Sequence, residues 1–177
     1  MALKNKLPPW SQIYPVYAII VIPVYGWTIY WALWKLPSWL DFLPLGQIGV
    51  ILCYLMATNF FESLLMLLGV VMVSLILPRK WFRDVFVSRG SMLAASVLIP
   101  IMVFEYHNDK PADYFSKFPM LMLIIFLIAC ASVFLAGWIG IVRKAVEALA
   151  ENAVIFLFVL LPVSLLSLII VIVRNLF

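Results

Sequence analysis

Five long apolar runs, separated by short stretches that hold nearly all the charge, set the pattern of this chain. They cover residues 14–34, 46–77, 90–106, 119–142 and 153–173. A helix needs about 20 residues to cross a hydrocarbon core roughly 30 Å thick, so each run reads as a transmembrane helix. The second run is long enough to tilt or to project past the headgroups. The third is short and contains Pro100, which points to an extension back into the preceding loop or to a thinned bilayer.

Tyr14, Tyr17, Trp27, Trp31, Trp34 and Trp39 place amphipathic rings near both ends of the first run, as an interfacial belt requires. No small-residue cleavage site follows it, so it is read as a retained helix rather than a signal peptide. Pro23, in mid-run, predicts a kink because it removes a backbone donor and crowds the preceding turn.

Between the second and third runs, Trp81, Phe82, Val85 and Phe86 fall on one side of a helical projection, and Arg79, Lys80, Arg83 and Asp84 on the other. This predicts a short amphipathic helix in the headgroup plane. There Arg79, Lys80, Trp81, Arg83 and Arg89 would contact lipid headgroups or a partner. The stretch "RKAVEALAEN" has no Gly or Pro, and Arg143 and Glu147 are spaced as an i, i+4 pair. The fourth helix is therefore expected to continue to about Ala150, with the turn near Glu151 and Asn152.

Composition agrees. Hydrophobic residues make up 67% of the chain and charged residues 11%, with mean hydropathy +1.16. Soluble domains carry roughly 25% charge, so this chain cannot cover a core with a polar shell. The expected fold is an all-α integral membrane protein, a single bundle of about five transmembrane helices.

The net charge of +4 reflects topology. With the N-terminus in the cytoplasm, Lys4, Lys6, Arg79, Lys80, Arg83, Arg89, Arg143 and Lys144 lie inside, against Lys35, Lys110, Lys117 and Arg174 outside. That balance predicts a cell (inner) membrane protein with a cytoplasmic N-terminus and an extracytoplasmic C-terminus. Basic residues at the ends of apolar runs do not form the continuous face that nucleic acid requires. Cys53 and Cys130 lie within apolar runs and read as packing residues.

One carboxyl stands out. In "LMATNFFESLLMLLG", Glu62 lies on the same helical projection as Leu55, Thr58, Asn59, Met66 and Gly69. A polar group left in lipid is costly, so Thr58, Asn59 and Glu62 are expected to form a cluster facing the bundle interior or a partner. No Lys or Arg lies near the middle of any run, and desolvation favours the neutral acid. Hydroxyls at Thr28, Tyr25, Ser96, Ser132 or Ser164 are its candidate acceptors and donors. A neutral, hydrogen-bonded Glu62 would tolerate Glu62→Gln with little change.

The stretch "EYHNDKPADYFSKFP" holds Glu105, His107, Asp109 and Asp113, but their spacing matches no strong metal signature. It reads as a solvated turn, with Ser116 capping the next helix near Pro119. A single histidine argues against haem ligation, and no thiol-redox, zinc-protease, nucleophile-elbow or phosphate-loop pattern is present. No cofactor or metal is implied. The expected function is therefore a non-enzymatic membrane subunit or scaffold that assembles with other membrane proteins or with itself, in contact with lipid. The alternative is a small transporter or channel using Glu62 and Asn59.

Overall fold

Pro9 and Pro44, both in extended backbone, open the first two helices, and each carbonyl accepts the first helical bonds, from Gln12 (2.9 Å) and Gln47 (2.9 Å) respectively. A proline before the first turn loses nothing, because the initial helical N–H groups have no intrahelical partner. The computed structural model describes residues 7–107 and 111–176, without the side chains of 79, 80 and 111–116. Among these residues every regular element is helical.

Helix α1 spans Trp10–Phe42, α2 Leu45–Ile76, α3 Arg79–Phe82, α4 Phe86–His107, α5 Pro111–Trp138 and α6 Gly140–Leu176. All but α3 are long and apolar enough to cross a membrane, which gives the five spans that the hydropathy pattern predicts. The short third run does extend backward, to Phe86. Pro23 is held within α1 together with Pro15 and Pro37.

Three expectations are corrected. Helix α5 begins at Pro111, not near Pro119, so Ser116 lies inside a helix instead of capping one. Pro111 suits that start because a first-turn proline has its φ preset and its missing N–H is not needed. The break between the last two helices falls at Ile139, about a dozen residues before the expected turn at Glu151 and Asn152. Gly137 and Gly140 bracket it, and residues 143–152 continue as helix within α6, with the Arg143–Glu147 pair closed at 2.9 Å. At 37 residues, α6 is about 55 Å long, too long for a roughly 30 Å core, so the charged stretch 140–152 projects beyond it.

The third correction concerns the linker after α2. A single turn of α-helix, α3, passes into a 3₁₀ turn at Arg83–Val85 and then into α4. Phe82 and Phe86 are fully buried and meet edge to face at 6.1 Å between centroids. They anchor the linker in the bundle instead of facing lipid, because the core offers these two rings more contact than the headgroup layer does.

Helix α1 is central. Val16, Ala18, Ile20 and Val21 are wholly buried where α1 packs against α2, α4 and α6. Gly90 on α4 lets that helix close in, since a Cβ there would meet Val70 at 3.2 Å and Val16 at 3.3 Å. Helix α5 lies against α4 through a narrow stripe of Leu121, Ile125, Ala129, Val133 and Ala136. The rest of its surface, including Leu123, Phe126 and Leu127, is exposed apolar side chain, a surface that suits hydrocarbon.

Candidate functional site

The buried face of α2 is made by Ala57, Asn59, Ser63, Val70 and Ser74. Small side chains at these positions let α1 and α6 approach closely, and their hydroxyls are satisfied locally or across the interface. Ser63 Oγ donates to Phe60 O at 3.0 Å and lies 3.2 Å from Tyr17 Oη, so Tyr17 is the donor to Ser63. Ser74 Oγ donates to Val71 O at 2.6 Å. Thr28 Oγ1, from α1, reaches Asn59 Oδ1 at 2.8 Å and also lies 3.2 Å from Val24 O. Asn59 Nδ2 is buried without a partner among the described residues.

The sequence-derived cluster does not stay together. Asn59 is interior, whereas Thr58 and Glu62 are exposed on the outer surface of α2. Successive helical residues are rotated by about 100°, so placing Ser63 against α1 turns Glu62 out of the bundle. Thr58 turns its hydroxyl back to Tyr54 O at 2.9 Å. The interior partners foreseen for Glu62 are engaged elsewhere: Thr28 with Asn59, Tyr25 with Ser164 (2.6 Å), Ser96 with Leu93 O (2.9 Å) and Ser132 with Ala129 O (3.0 Å). Glu62 makes no hydrogen bond or ion pair among the described residues.

Along the outer surface of α2, Thr58, Glu62, Leu65, Gly69, Met72 and Ile76 are all exposed. Their spacing alternates four and three residues, the seam against which a second helix packs at a shallow crossing angle. Glu62 is near the midpoint of α2, about 20 Å or more from either end at 1.5 Å per residue.

A second polar centre lies at the start of α4. Arg89, expected among headgroup contacts, is only 8% exposed. Its guanidinium carbon is 5.1 Å from the centroid of the half-exposed Trp81 ring, and a Cβ added at Gly137 of α5 would collide with the guanidinium. Ser88 is buried beside it, with Oγ 3.4 Å from Ala136 O. Arg83 turns inward as well, Nε donating to Ser74 O at 3.1 Å. The side chains of Arg79 and Lys80 lie outside the described residues.

No family model, curated protein or solved structure matches this chain. Its chemistry has to be argued from these two centres.

At the far end of α4, His107 Nδ1 is 2.8 Å from Val103 O, one turn back in its own helix. Asp109 and the side chain of Asp113 lie outside the described residues, and no group of three potential metal ligands occurs among those described. The sequence-derived site did not include Ser63, Ser74 or Gly137, and Tyr17, expected in the interfacial belt, is instead buried in the bundle beside Ser63. The signal for the first two was present as small residues repeating along α2; nothing local marked Gly137 as the seat of an arginine from another helix.

Proposed function

We propose that this protein is a non-enzymatic membrane subunit whose α2 surface packs against a helix of another membrane protein. The observation that carries the reading is Glu62: a carboxyl exposed near the middle of a membrane-length helix, with no partner among the described residues of its own chain. An ionisable group facing lipid at the centre of a bilayer costs about 2.5 kcal/mol or more, so such groups are normally covered or paired. The regular seam from Thr58 to Ile76 supplies the matching contact surface, with Gly69 leaving room for close approach. A basic side chain in the partner helix is the complement to Glu62. The chain itself has no Lys or Arg near the middle of a span, which favours a different protein over a second copy.

A transporter reading keeps one supporting observation, a carboxyl near the middle of a membrane-length helix, since intramembrane carboxyls can bind or pass cations. The outward aspect of Glu62 favours assembly.

Native mass measurement after gentle extraction from the host membrane tests the proposal. The expected particle contains a second membrane chain and loses it on Glu62→Leu, but keeps it on Leu165→Ala, at an exposed position of α6. A strictly monomeric particle, or a complex indifferent to Glu62, would overturn it. Glu62-dependent ion flux in liposomes containing only this chain would establish the transporter reading instead.

A further inference from the structure

We infer that Arg89 is the phosphate-binding residue of a site for one anionic phospholipid, whose acyl chain lies in the adjoining groove between α4, α5 and the end of α2. An arginine stays charged at all accessible pH values, so burial has to be answered by partners. Here Nε and Nη1 of a residue more than nine-tenths buried have no hydrogen-bond partner among the described residues. Among the described residues no acidic side chain forms an ion pair with it. Trp81 offers its ring face and the end of α5 a partial negative charge, but neither supplies an acceptor to those two nitrogens. A buried cation with an open donor set describes an anion site, and a phosphodiester matches the planar fork of arginine.

The groove identifies the source of the phosphate. It has a volume of about 320 Å³, and its apolar walls include Leu77, Leu93, Phe126, Cys130 and Val133. Trp81 forms part of the same wall, so the ring that stacks on Arg89 also borders the apolar groove. A free phosphate has no use for such a surface; a lipid with its headgroup at Arg89 fills both parts. Arg89 is in the first turn of α4 and beside the last turn of α5, so it lies at one end of both helices, where a spanning bundle meets lipid phosphates. Entry requires the exposed Trp81 ring to move aside, which a partly exposed side chain on a short helical turn permits.

The test is native mass spectrometry of the delipidated full chain titrated with phosphatidylglycerol or phosphatidylcholine. The expected result is one retained phosphatidylglycerol per chain, with at least tenfold preference over phosphatidylcholine. Arg89→Gln should abolish the preference. Arg83→Gln should preserve it, because Arg83 already donates to Ser74 O and serves as the control for general attraction at this end of the bundle. Gly137→Ala, which displaces the guanidinium without removing its charge, should weaken binding at least tenfold and provides the second variant if Arg89→Gln does not fold. Equal retention of the two lipids by the wild type overturns the proposal, as does an equal loss in Arg83→Gln and Arg89→Gln. Displacement of bound phosphatidylglycerol by equimolar inorganic phosphate overturns the assignment to lipid and leaves a free-anion site.

Discussion

Tyr25 of α1 and Ser164 of α6, 139 residues apart in sequence, meet through their hydroxyls at 2.6 Å in the centre of the bundle. Ser164 Oγ also lies 2.7 Å from Leu160 O, which takes the serine proton and leaves Tyr25 as donor to Ser164. Removing the donor with Tyr25→Phe should cost about 0.6 to 2 kcal/mol, the range for hydrogen bonds between membrane helices. Ser164→Ala should cost more than Tyr25→Phe, because it leaves a buried tyrosine hydroxyl without an acceptor. Reversible unfolding in mixed micelles measures both; equal stability of all three proteins would show that the contact contributes nothing.

Gly137 and Arg89 form a pair of a different kind, in which one residue supplies only space. Gly137→Ala places a methyl on the guanidinium and should destabilise the bundle by about 1–3 kcal/mol, the usual cost of overpacking. Truncating the arginine removes the collision, so Gly137→Ala should cost much less in an Arg89→Ala background. A double-mutant cycle reads this as a positive coupling. Independent, additive effects would place Arg89 elsewhere.

Substitution at Glu62 separates pairing from proton transfer. If the carboxyl is ionised against a cation of a partner helix, both Glu62→Gln and Glu62→Leu leave that cation buried and unpaired, at a cost of about 3–5 kcal/mol, and the complex should dissociate. We expect this outcome in place of the tolerance to Glu62→Gln that an interior, hydrogen-bonded carboxyl implied, because Glu62 is turned out of the bundle and the hydroxyls foreseen for it are engaged elsewhere. A relay would show the opposite pattern for Glu62→Gln, with assembly intact and flux lost. Pull-down and liposome flux on the same two variants distinguish them.

Topology is testable by labelling, but the burial pattern changes the choice of sites. Ser88 is fully buried and its hydroxyl points to Ala136 O, so a cysteine there would be silent from either side. Asp84→Cys and His107→Cys, both at exposed positions, are the better pair in a background with Cys53 and Cys130 replaced. We propose a cytoplasmic N-terminus. On that orientation an impermeant reagent applied outside should modify position 107 alone. Labelling at 84 instead would reverse the orientation.

Hydropathy by itself determined that this chain is helical and has five membrane-length spans, because an apolar run of sufficient length has few other ways to satisfy its backbone in lipid. It also located Glu62 on the second span and the basic residues between the second and third. Which face of α2 turns inward was decided only by packing. In hydrocarbon both faces of a helix are apolar, so the usual contrast between a wet and a dry side is lost, and small residues such as Ser63 and Ser74 choose the interface instead. The same holds for the linker. Phe82 and Phe86 have the periodicity of a membrane-surface helix, yet a cleft in the bundle accommodates them better. The break at Ile139 was signalled by Gly137 and Gly140, but the role of Gly137 arises from a contact with Arg89, 48 positions away. No local pattern encodes that contact. Only the assembled helices bring an arginine, a tryptophan and a glycine from separate segments to one place and leave two guanidinium nitrogens without a partner among the described residues.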